Sequence, residues 1–169
     1  CDYKTGSPKL SLNEIMEGLS LQLITYLLAL SKTKDTKDLL PAAMMYIYLH
    51  GRPKSISVPP NGIPHAKEKE NTNGIFLNDP DVLRTLDSQS GTDDGFIGVS
   101  YVKDGSVKKT SPVLTAEQFE ALKALTEKIL IRLYSRLESG EIAIHPVKNG
   151  TLSPCSYCPY RSICRFDPA

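Results

Sequence analysis

The sequence predicts a mixed α/β fold, and three observations predict it. Two stretches carry apolar residues at the helical period behind a capping signal, Ser11-Leu12-Asn13-Glu14 and Thr115-Ala116-Glu117-Gln118. Short apolar runs, AAMMYIYLH and GIFL, are bounded by proline, glycine and asparagine, as buried strands are. The chain also opens on an extended triplet, Asp2-Tyr3-Lys4, followed at once by a turn and the first helical pattern. Its 169 residues suffice for one domain with a real core.

Taken in order, the triplet reads as a first strand. Leu12, Ile15, Met16, Leu19, Leu23, Leu27 and Leu30 then recur as on one helix, from about residue 12 to about residue 31, with Ser11 as N-cap and Glu14 reaching back. AAMMYIYLH follows as a buried strand. Pro53, Pro59, Asn61-Gly62 and the charged KEKENTNG make residues 53–74 a flexible insertion. GIFL is a short strand, and PDVLRTLDS a short helix with Pro80 in its first turn. FIGVSYVKDGSVKKT reads as a hairpin turning at Asp104-Gly105. The second capping box opens a long helix with Phe119, Leu122, Leu125, Ile129, Leu133 and Leu137 on one face, stopped at Gly140. EIAIHPV is a last short strand before a cysteine segment at 154–166.

Composition excludes several classes. With 40% hydrophobic and 23% charged residues and a net charge of +1, the chain has no general electrostatic pull towards nucleic acid, so a DNA contact needs a local patch. No apolar run reaches the roughly 18 residues of a membrane helix. The longest, LSLQLITYLLAL, is broken by Gln22 and Thr25. No signal-peptide pattern opens the chain, and a soluble, cytoplasmic protein is expected. His50, His65 and His145 show no pairing with an acid and a nucleophile, and neither G-x-S-x-G nor a Walker loop occurs.

Three constellations carry chemistry. Asp2 and Lys4, two apart on a strand, project from one face. Such a carboxylate can hold Mg²⁺ or Mn²⁺ while the lysine orients or activates a water for phosphodiester hydrolysis, although an ordinary surface pair has the same spacing. Gln22 and Tyr26 share a helix face, on a stripe with Ile15, Leu19 and Ala29. There Gln22 is either a buried amide satisfied by backbone or part of a polar pair facing the Asp2 strand. Cys155, Cys158 and Cys164 crowd into ten residues, as metal or iron–sulfur ligands do rather than disulfides. Buried unligated thiols are the plainer reading, and a fourth ligand would have to be Cys1, His145 or a group from outside the chain.

Together, DYKTG, LQLITY and PCSYCPYRSIC resemble the RecB-like PD-(D/E)XK nucleases that carry an iron–sulfur cluster. GIFLNDPDVLRTLD, VKDGS and SGEIAIHP extend the likeness over nearly the whole chain, to the C-terminal end of the B subunits of AddAB-type ATP-dependent helicase–deoxyribonucleases. The resemblance implies an α/β, restriction-endonuclease-like core with a C-terminal cysteine segment. It implies Asp2 as a Mg²⁺ ligand, Lys4 as the catalytic lysine, and Gln22 and Tyr26 as the Q-x-x-x-Y residues. Cys155, Cys158 and Cys164 would be three ligands of a [4Fe–4S] cluster whose fourth cysteine lies upstream in the family, a Cys3His zinc site with His145 being the alternative. Cys1 precedes the acid on the strand and would point away from it.

The implied activity is metal-dependent exonuclease cleavage of single-stranded DNA at double-strand breaks during recombinational repair. The implied heterodimer partner is the A-type helicase–nuclease protein of such complexes. On this reading residues 1–169 are the C-terminal portion of one nuclease domain, inactive and without an intact cluster in isolation, with the tail mobile or held by Tyr157, Tyr160, Ile163 and Phe166. The rival reading is a metal- or cluster-stapled binding module without catalysis.

Overall fold

The computed structural model describes residues 1–6, 8–36, 39–49, 72–92, 95–147 and 154–165. Within them lies a four-stranded mixed sheet in the order β1 (Asp2–Lys4), β2 (Ala43–Tyr48), β3 (Thr72–Leu77) and β4 (Val113–Leu114). β1 runs parallel to β2, β2 antiparallel to β3, and β3 parallel to β4. The parallel β1–β2 step needs a crossover, which α1 (Leu12–Met16) and α2 (Gln22–Ser31) supply. α3 (Pro80–Leu86) follows β3, and α4 (Ala116–Glu138) follows β4.

Period-two alternation divides the core between the two faces of the sheet. Ile75 and Leu77 of β3, with Met44 and Tyr46 of β2, pack with Ile15, Leu23, Ile24, Phe119 and Leu122. Phe76 points the other way, into a smaller cluster with Leu83, Ile97 and Val99. The buried Asp87 organises the loop beneath that cluster, because its carboxylate accepts from the backbone N–H groups of Gln89, Phe96 and Ile97.

The structure corrects six expectations. The single helix over about 12–31 is two. Gly18, at φ 81°, ends α1 in a Schellman arrangement, with Gly18 N–H on Ile15 O at 3.0 Å and Leu19 N–H on Glu14 O at 2.7 Å. Glu14 accordingly does not close a capping box; its carboxylate accepts from the hydroxyl of Ser20, itself left-handed, across the break.

The apolar period ran straight through this turn, which is why it read as one helix. EIAIHPV forms no strand, since Ile142 is 94% exposed and no neighbouring strand among the described residues pairs with it. The hairpin shrinks to a single bridge, Tyr101 with Val107, around the expected Asp104-Gly105 turn. The expected 53–74 insertion lies outside the described residues up to 71, and residues 72–74 already belong to β3. The predicted apolar face of α4 is only partly buried: Phe119, Leu122 and Ile129 are buried, whereas Leu125, Leu133 and Leu137 are exposed.

Other local readings match. Thr115 and Gln118 form the reciprocal capping box of α4. Asp79 caps α3 with Pro80 in its first turn. Gly140, at φ 68°, lies just past the end of α4.

Candidate functional site

The site grows from two regular elements. In β1 the i, i+2 spacing brings Asp2 and Lys4 to one face, and Lys4 Nζ stands 2.7 Å from Asp2 Oδ2. In α2 the i, i+4 spacing stacks Gln22 and Tyr26, and Gln22 Nε2 donates to Tyr26 Oη at 2.9 Å. The two elements meet where Lys4 Nζ donates to Gln22 Oε1 at 2.7 Å. Asp2, Lys4, Gln22 and Tyr26 are thereby one connected chain. Gln22 is exposed rather than buried, and it is satisfied by a side chain and not by backbone.

The direction of this chain follows from its first donor. An ammonium only donates, so the Gln22 carbonyl must face Lys4 and its amide must face Tyr26. Tyr26 Oη therefore receives a hydrogen bond and keeps its own O–H proton free for an outside acceptor. Tyr26 is 51% exposed, so such an acceptor can reach it.

Electrostatics favour a charged lysine. The Asp2 carboxylate beside it raises the Lys4 pKa above its ordinary value, against a smaller opposing effect of desolvation. Lys4 is thus a cation at neutral pH, a fixed charge and donor rather than a proton acceptor. Its Nζ also lies 5.2 Å from the centroid of the Tyr46 ring, within cation–π range. Tyr46 faces Asp2 across the parallel β1–β2 register, and burial raises its phenol pKa, so the ring stays neutral. The sequence marked Tyr46 only as part of a buried strand; nothing in its spacing reveals the register with Asp2.

Two cofactors were implied, and the residues fit them differently. Asp2 Oδ2 is buried, and the Lys4 ammonium 2.7 Å away is its partner among the described atoms. A partly exposed carboxylate of this kind suits a hard divalent cation. In the cysteine segment the three thiols do not converge. It consists of a 3₁₀ turn, Pro154–Tyr157, and the short α5, Arg161–Cys164. Among the described residues no three His, Cys, Asp or Glu side chains come together as a metal site, and Cys155, Cys158 and Cys164 are free thiols. Of the two alternatives expected for the tail, packing by these side chains does not hold it, because Tyr157 is 92%, Tyr160 67% and Ile163 78% exposed; Phe166 lies outside the described residues. Cys1 is exposed. His145 lies 3.8 Å from a carboxylate oxygen of Glu141, and no metal-ligand set forms around it among the described residues.

No helix among the described residues is long and apolar enough to cross a membrane. A family model described as the PD-(D/E)XK nuclease superfamily matches residues 1–165. Among curated proteins, the chain is 35% identical over 99% of its length to the B subunit of the ATP-dependent helicase/deoxyribonuclease of Desulforamulus reducens. It is 35% identical over 98% of its length to the protein of the same name from Clostridium kluyveri, and 33% identical over 99% to that of Symbiobacterium thermophilum. The chain spans about 15% of the length of each of these relatives.

Proposed function

The chain belongs to the PD-(D/E)XK nuclease superfamily, and from that premise we propose that it contributes the lysine-bearing half of a metal-dependent DNA exonuclease site. The site would work within a helicase–nuclease complex that trims single strands at double-strand breaks for recombinational repair, with the A-type protein of that complex as heterodimer partner. One observation carries the reading: the unbroken chain from Asp2 through Lys4 and Gln22 to the exposed Tyr26.

A divalent cation held by Asp2, Mg²⁺ or Mn²⁺, would polarise the scissile phosphate and lower the pKa of a bound water. The chain's own residues supply the rest. Asp2 offers its carboxylate as an anionic ligand. Lys4, kept cationic by Asp2, stabilises the negative charge that builds on the phosphoryl oxygens. Gln22 fixes the ammonium in place, so no reorganisation is needed as that charge develops. Tyr26 presents its O–H to a neighbouring phosphate oxygen of the strand and sets its register. The cysteine segment takes no part in these steps.

In the intact protein, Asp2→Ala should abolish cleavage of single-stranded DNA while DNA binding persists. Normal cleavage by that variant would overturn the catalytic reading and leave a binding module.

A further inference from the structure

We propose that Tyr46 is a positioning residue for Lys4, a rigid aromatic seat that holds the ammonium between Asp2 and Gln22. This rests on the nuclease reading above and adds to it a residue that the D-x-K and Q-x-x-x-Y spacings do not contain. An ammonium has three N–H donors, and a lysine side chain four carbons long can swing widely. Here Asp2 Oδ2 and Gln22 Oε1 each stand 2.7 Å from Nζ, on two sides. The Tyr46 ring lies on a further side, 5.2 Å from Nζ to its centroid.

The ring does not depend on the lysine for its own place. Tyr46 is 3% exposed, packed with Ile15, Leu23, Ile24 and Met44, and fixed opposite Asp2 by the strand register. A wall built by the core, rather than by the flexible partner it touches, is what preorganisation requires. The electron-rich ring face attracts the cation yet offers it no lone pair to compete with Asp2 or Gln22. Tyr48, opposite Lys4 in the register, is drawn away because its Oη donates to Pro8 O at 2.5 Å.

The test keeps shape constant and changes the ring's charge distribution. In the intact protein, Tyr46→Phe should cleave single-stranded DNA almost as the natural protein does. Pentafluorophenylalanine at the same position, which fills the same space but reverses the ring quadrupole, should lower kcat about tenfold with KM little changed. Equal kcat for these two variants, or a Phe variant as poor as the fluorinated one, would overturn the proposal. A second measurement needs neither catalysis nor substitution: in the purified 169-residue chain, the Lys4 methylene protons nearest Nζ should resonate upfield of their random-coil position from the ring current. Unshifted protons would overturn it as well. Lys4→Gln separates the two readings. If that variant cleaves normally, the nuclease reading falls, whereas full loss with Lys4→Gln and no effect of the fluorinated ring removes Tyr46 alone.

Discussion

The face built by β1 and α2 and the cysteine segment at 154–165 each hold a set of residues that the sequence marks as chemical, and only the first is assembled. In the first, four side chains from two elements join through contacts of 2.7 to 2.9 Å. In the second, three thiols share ten residues without converging, among aromatics that face solvent. The backbone accounts for the difference. A strand delivers i and i+2 to one face and a helix delivers i and i+4, so two secondary-structure periods and one sheet-to-helix contact suffice for the first site. No period gathers C-x2-C-x5-C. Such segments take their shape from what they bind, and the energy of binding is the energy of folding.

The sharpest way to break this comparison is at Lys4. Preorganised charge stabilisation typically contributes about 10²–10³-fold per group. In the intact protein, Lys4→Gln should therefore lower the rate of single-strand cleavage by about that factor, with DNA affinity little changed. An unaffected rate would mean that the assembled face is an ordinary surface cluster.

Next in size is the cofactor content of the other region. Anaerobic purification of the 169-residue chain followed by iron and sulfide analysis should find well under the four of each that a [4Fe–4S] cluster requires. Cys158→Ser should leave its thermal midpoint unchanged, since both core clusters lie elsewhere. About four irons and four sulfides per chain would show that the thiols converge with a further ligand and that both regions come preassembled.

Tyr26 should give a smaller effect. Tyr26→Phe removes the outward O–H and the acceptor of Gln22 while keeping the ring. One hydrogen bond to a charged group is worth about tenfold, so cleavage should slow by about that much, mostly through KM. A change in kcat alone would place Tyr26 at the reacting phosphate instead of beside it.

The same contrast explains what the sequence disclosed. The shared faces of D-x-K and of Q-x-x-x-Y were readable because their spacings match backbone periods, whereas their roles came from the family resemblance; their meeting required only that α2 lie against β1. Tyr46 was not readable, because its role depends on a register between strands far apart in the chain. The Gly18 turn was hidden for the opposite reason: the apolar stripe of Leu12, Ile15, Leu19 and Leu23 runs on while the backbone reverses hand beneath it. Strand EIAIHPV failed because alternation predicts a strand only where a partner strand exists.

The smallest effect lies at the end of α4. Arg136, near the end of α4, grips Glu141 with two donors, Nε at 2.8 Å and Nη2 at 2.6 Å, tying the helix end to the stretch that leads towards the cysteines. Arg136 holds the Glu141 carboxyl below its ordinary 4.5 in the folded chain. A carboxyl whose folded pKa is depressed stabilises the fold above its unfolded value, and loses that contribution as pH falls through the folded pKa. Both groups are solvent-accessible, so the contribution is small and weakens with salt. Glu141→Gln should thus lower the thermal midpoint slightly at pH 7, less at high salt, and not at all once the pH lies below the depressed pKa of Glu141. A deficit that persists in strong acid would show that Glu141 acts through packing rather than charge.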